Sequence, residues 1–114
     1  MTAVPSGDTL ELTLYWQALH TPAVDATIFV HAMNAANTLV SQQDARPWDG
    51  QYPTFIWEPG EVVATHHTLV RPADSGRLTL MVGMYTFPGP ANLPAWQGNV
   101  AIPDGRVRIG DWAP

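Results

Sequence analysis

The residues of this chain that could do chemistry are four histidines, ten carboxylates and a group of aromatic rings; there is no cysteine. His66 and His67 are neighbours, and neighbouring residues of a strand point to opposite faces, so they cannot grip one ion together. His31 lies in a separate strand-like stretch and His20 beside a turn. The expectation is a hydrogen-bonded core His31 and a solvated His66 or His67. Asp44, Asp49, Glu58 and Glu61 surround one long loop, the kind of oxygen set that calcium takes. No D-x-D-x-D-G spacing accompanies them, so no metal is expected and calcium at these four is the alternative. The chain has no G-x-S-x-G elbow, no H-E-x-x-H helix and no acid in an apolar setting. It therefore reads as non-catalytic, with a small hydrolase as the third option. No Gly-rich loop opens a helix, so no phosphate cradle and no cofactor is expected.

The aromatic chemistry centres on QYPTFIWEPGE, residues 51–61. Pro53 holds Tyr52 extended, and Pro59 does the same to Glu58. Pro59-Gly60 suits a type II turn with Gly60 at positive φ. Trp57 is thereby fixed just before a reversal, where its ring, with Phe55 or Ile56, can plug the end of a core. Glu61 is expected to accept backbone N–H bonds at the turn. These assignments give Trp16, His31, Trp57, Pro59, Gly60 and Glu61 structural duties. A second reading makes the loop rings Trp48, Tyr52 and Trp96 a stacking face for sugar, with Asp44, Asp49 and Gln51 reaching its hydroxyls. Gln43 and Asn92 are further polar partners. Sequence leaves both readings open.

The elements that must position these groups are strands. Residues 9–17, TLELTLYWQ, place Leu10, Leu12, Leu14 and Trp16 on one face and Thr9, Glu11 and Thr13 on the other. Residues 26–34 are apolar on both faces, as in a covered central strand. Residues 38–44 return as its hairpin partner, 62–70 resume the alternation, and 77–87 put Leu78, Leu80, Val82 and Met84 on one face. PGPANLPAWQG, with three prolines in seven residues, is expected to be irregular, and NVAI and RVRIGDW close the chain. About seven short strands and no helical period predict an all-β antiparallel sandwich, immunoglobulin-like first and a jelly roll second.

At 114 residues this is one domain, 1–114, with residues 1–8 linker-like ahead of the first strand. That start fits a module excised from a longer protein. A net charge of −5 with only five Lys and Arg argues against nucleic acid and anionic membrane surfaces, which need clustered cations. No apolar run approaches the ~20 residues needed to cross a bilayer, so no membrane insertion is expected. The terminal strand RVRIGDW offers an edge through which a homodimer could form.

The order of the pieces resembles a bacterial β-sandwich domain that follows the transmembrane region of polytopic glycosyltransferase-like (mannosyltransferase-type) membrane proteins. The residues that carry the resemblance are Phe29, Val30 and His31; Leu39, Val40, Gln43 and Asp44; Pro47 and Gly50; Tyr52, Pro53, Thr54 and Trp57. They continue through Pro59, Gly60, Glu61, Val62 and Val63 to Val82, Gly83, Tyr85, Leu93 and Pro94. Two positions depart from that pattern. Thr65 stands where members often carry an acid, and His67 near where they carry an aromatic, which weakens any acidic cluster around Glu61. The resemblance implies an extracytoplasmic, non-catalytic accessory module that binds, docks or spaces. Its partner would be a glycan or another part of the parent protein.

Overall fold

The computed structural model describes residues 1–86, 92–102 and 104–114. Nine strands are present among them: β1 (Thr2–Ser6), β2 (Thr9–Gln17), β3 (Ala26–Met33), β4 (Leu39–Ala45), β5 (Val62–Val70), β6 (Leu78–Thr86), β7 (Ala95–Gln97), β8 (Val100–Ile102) and β9 (Val107–Trp112). They pair antiparallel as a three-stranded sheet, β1-β2-β5, a four-stranded sheet, β4-β3-β6-β9, and the hairpin β7-β8. Among the described residues no helix is long and apolar enough to cross a membrane.

The two larger sheets pack face to face because their alternation is in phase. Leu10, Leu12, Leu14 and Leu69 from one sheet meet Ile28, Val30, Ala32, Leu78, Leu80 and Val82 from the other. Trp112 closes one end of this core. There the Arg71 guanidinium stacks on the Trp112 ring at 4.4 Å and donates to the carbonyls of Trp112 and Ala113 at 2.7 and 2.8 Å. Strand β3 is buried on both faces, as its composition predicts.

Two segments differ from expectation. The linker-like start is an edge strand, β1, whose five residues are all exposed. Its Pro5 is tolerated because an edge strand need not donate on both sides. The Pro-rich segment expected to be irregular holds β7, hairpinned to β8; its residues 88–91, like Phe87 of the expected strand 77–87 and Pro103, lie outside the described residues. Gly7 and Gly98 open the two tight turns at φ 61° and 63°. Gly-Asp and Gly-Asn are sequences that favour two-residue hairpins with glycine first.

Gly83 is needed for close approach. It pairs with Phe29 across β3 and β6, and an added Cβ would run into the Phe29 ring and lie 2.5 Å from the Gly105 carbonyl oxygen. One contact is backbone and cannot rotate away. Gly83→Ala is therefore expected to lower the unfolding free energy by about 1–3 kcal/mol, the usual cost of overpacking, as read by denaturant melts.

Candidate functional site

Strand β5 is the edge of one sheet and β4 the edge of the other. Between them opens a groove of about 490 Å³, walled by Trp48, Asp49, Gln51 and His66 and floored by Ile28, Thr65 and His67. The outer wall is the loop that joins β4 to β5.

That loop begins with two consecutive turns. The Asp49 N–H donates to the Arg46 carbonyl, and the Gln51 N–H to the Trp48 carbonyl, each at 3.0 Å. The second turn has Asp49 at φ 55° and Gly50 at φ 86°, the left-handed pair that Asp-Gly sequences favour. The first puts Trp48 at φ 52°, ψ 43°. A bulky residue is rarely left-handed, and the conformation costs about 1–3 kcal/mol unless neighbours impose it. Here they do. The Trp48 indole N–H donates to the Ala64 carbonyl on β5 at 2.9 Å, and its ring lies on Tyr52 with centroids 5.0 Å apart. Arg46, at the base of the loop, is paired with Asp25 at 2.7 Å.

Tyr52 is held in turn by its hydroxyl, which donates to the Glu61 carboxylate, 2.7 and 2.5 Å from its two oxygens. That carboxylate also accepts the Glu58 N–H at 2.9 Å, the backbone duty expected of it. The shared hydrogen bond with Glu61 pushes the Tyr52 hydroxyl up to about 12 and holds the Glu61 carboxyl below its ordinary value. The proton therefore stays on tyrosine. The turn beneath them has Gly60 at φ 82° and the Glu61 N–H on the Glu58 carbonyl at 3.0 Å, with Pro59 preceding Gly60 as type II requires.

The neighbouring rings divide by the geometry of this turn. Trp57 turns inward, 3% exposed, against Ala18, Val63, Trp16, Tyr52 and Met84. Its indole N–H donates to the Tyr52 carbonyl at 3.0 Å. Phe55 and Ile56 do not join the plug; they are 48% and 46% exposed. A short 3-10 turn, Thr54–Ile56, swings them outward, while Thr54 takes the buried place and bonds the Val24 carbonyl.

Of the residues assigned to sugar, Trp48, Asp49 and Gln51 line the groove and Tyr52 backs it. Trp96 does not join them: it projects from the β7-β8 hairpin into a separate depression lined by Asn92, Leu93 and Asp104. Asp44 also faces away, because Gln43 beside it on β4 points inward; Asp44 instead accepts the Tyr85 hydroxyl at 3.1 Å on the outer face. The calcium alternative does not assemble. Among the described residues no three His, Cys, Asp or Glu side chains come together to hold a metal ion.

The histidines need a correction. His31 is not a hydrogen-bonded core residue: it lies on the outer face of the four-stranded sheet beside Phe29, ring centroids 4.5 Å apart, and its Nδ1 has no hydrogen-bond partner among the described residues. Period two puts Val30, its neighbour, in the core instead. The buried histidine is His67, 2% exposed, while His66 is solvated and shares a hydrogen bond with Thr13 Oγ1 at 3.0 Å. His67 sits in a chain that reaches from one sheet to the other. Trp16 Nε1 donates to Thr65 Oγ1 at 2.9 Å, Thr65 Oγ1 meets His67 Nε2 at 2.8 Å, and His67 Nδ1 meets Gln43 Oε1 at 2.6 Å. An indole N–H can only donate and an amide oxygen only accept, so the Thr65 hydroxyl donates to Nε2 and Nδ1 carries the proton. Every member is satisfied with His67 neutral.

Compared with known proteins, the chain matches no family model, no curated protein and no solved structure.

Proposed function

We propose that this chain is a non-catalytic binding module that takes glycan in the groove between β4 and β5, as an accessory part of a larger envelope protein. The observation that carries this reading is Trp48. Its indole is 55% exposed, although its backbone pays a conformational cost that asparagine or glycine would avoid. A large apolar ring held open over a groove, with Asp49, Gln51 and His66 around it, suits the apolar face and flanking hydroxyls of a pyranose. The envelope setting and extracytoplasmic side come from the resemblance carried by residues from Phe29 to Pro94, of which 47–63 are the most specific part.

The test is titration of the chain with a panel of oligosaccharides, followed by calorimetry and tryptophan fluorescence. The wild type is expected to saturate. Trp48→Asn, which tolerates the left-handed turn, is expected to lose about 2 kcal/mol of binding, roughly 30-fold in Kd, while melting within a few degrees of the wild type. Equal affinity in the two proteins rejects the groove.

A docking role is the second reading, favoured by the apolar end of the sandwich. There Leu19 is 82% exposed, and Val24, Phe55 and Ile56 are also uncovered. The loop after β2 and the 51–61 segment are tied together there by the Thr21 hydroxyl on the Trp57 carbonyl, so these side chains share a fixed frame. Docking predicts that Leu19→Ser weakens association with another part of the parent protein and leaves glycan binding unchanged.

A further inference from the structure

We infer that Tyr52, locked by Glu61, is the positioning residue of the groove, and that the platform it braces takes one neutral, equatorially substituted pyranose ring. This rests on the glycan reading and deepens it.

The Trp48 ring has two faces. Tyr52 covers one, with the planes 28° apart, and the indole edge is fixed by the Ala64 carbonyl. An indole so held and still half exposed offers its other face to the groove, an area that fits one sugar ring. A pyranose with equatorial substituents presents a flat face of axial C–H groups, which is the surface that packs on a π-system; an axial hydroxyl on that face lifts the ring away.

Charge narrows the ligand further. The groove carries the Asp49 carboxylate, and its guanidinium, Arg46, is engaged with Asp25. The chain as a whole stands at −5. A uronic or sialic acid would bring a carboxylate towards Asp49 in a chain of net charge −5, whereas neutral hydroxyls find acceptors at Asp49 and Gln51 and a ring nitrogen at His66.

The bracing depends on a linkage that extends away from the ligand. Tyr52 touches Trp48 through its ring, and its hydroxyl is pinned by a carboxylate seated on the Pro59-Gly60 turn. Tyr52→Phe keeps the ring and removes the pin. Glu61→Gln keeps an oxygen that can accept both the phenol and the Glu58 N–H.

The experiment compares wild type, Tyr52→Phe and Glu61→Gln by calorimetric titration with neutral gluco-configured oligosaccharides and with their uronic acid counterparts. Near-UV circular dichroism of the stacked Trp48–Tyr52 pair is recorded alongside. Expected are a roughly fivefold weaker Kd for Tyr52→Phe with an altered near-UV band, and near-wild-type behaviour for Glu61→Gln. Acidic sugars are expected to bind at least about tenfold more weakly than neutral ones. A role confined to stability would lower the melting temperature of Tyr52→Phe and leave Kd and the near-UV band alone, and that result overturns the positioning role. Preference for the acidic sugar overturns the ligand class. If the wild type binds no neutral glycan, the binding reading itself falls, and the bracing is then judged by the near-UV band alone.

Discussion

Trp57→Ala is expected to lower the unfolding free energy by about 3–5 kcal/mol, the range for removing a buried aromatic without backfilling. The ring lies in a cluster with Ala18, Val63, Trp16, Tyr52 and Met84, and three of these, Trp16, Val63 and Met84, are held in place on β2, β5 and β6. Removing the indole also strands the Tyr52 carbonyl, which receives its N–H. Domains of this size hold about 5–15 kcal/mol in total, so one substitution takes a large fraction. At roughly 4 °C per kcal/mol, the melting midpoint should fall by about 12–20 °C. Phe55→Ala and Ile56→Ala supply the contrast. Two residues and one residue away in sequence, they are half exposed, and each should cost no more than about 1 kcal/mol. A Trp57→Ala protein that melts like Phe55→Ala would mean that the indole does not seal the sandwich.

That contrast marks where sequence stops being informative. The alternation in residues 9–17 and 62–70 locates β2 and β5 because half-buried strands expose the period of their environment. Strand β1 has no such period: both its faces meet solvent, and only the Gly7-Asp8 turn announces it. Strand β7 is hidden in the same way, with Gly98-Asn99 as its signal and the surrounding prolines pointing elsewhere, whereas its partner β8 falls in the NVAI stretch that sequence does locate. Within the site, Trp48, Asp49, Gln51 and Tyr52 are legible because one short loop carries them. Trp96 and Asp44 are misplaced for different reasons. Period two gives a residue's face only once its strand's phase is known, and for Asp44 the inward neighbour Gln43 sets that phase. Trp96 depends on how a hairpin projects, which local pattern does not specify. The left-handed backbone of Trp48 was hidden too, since it is imposed by the Ala64 carbonyl, 16 residues further on.

His67 shows the same limit, and it makes the folded state sensitive to acid. Burial pushes its pKa down to about 4 from the ordinary 6.5, and the neighbouring His66 adds a smaller push in the same direction. Below pH 6.5 the unfolded chain takes up a proton on this imidazole while the folded chain does not. Stability is therefore complete above about pH 6.5, declines as pH falls towards 4, and loses nothing further to this group below that. At 1.36 kcal/mol per unit, the window is worth about 3 kcal/mol. His31, pushed down mainly by burial, acts with the same sign. Glu61, Asp104 and Asp111 have lowered pKa values, so the stability they contribute is lost at lower pH, as acid protonates carboxylates. The measurement is unfolding free energy by urea titration at half-unit steps from pH 4 to pH 7.5. The wild type should lose stability through this window, and His67→Gln, whatever its baseline, should lose clearly less of it between pH 6.5 and 5, where of the groups named only His31 still adds a slope; below pH 5 Glu61 adds its own in both proteins. The reason is geometric. Neutral His67 accepts at Nε2 and donates at Nδ1, which satisfies Thr65 and Gln43 together. A second ring proton would displace the Thr65 hydroxyl proton from its acceptor and leave a charge between two apolar sheets. A wild-type curve flat across this range would show that His67 is charged or hydrated in the fold, and the chain joining the sheets from Trp16 to Gln43 would have to be redrawn.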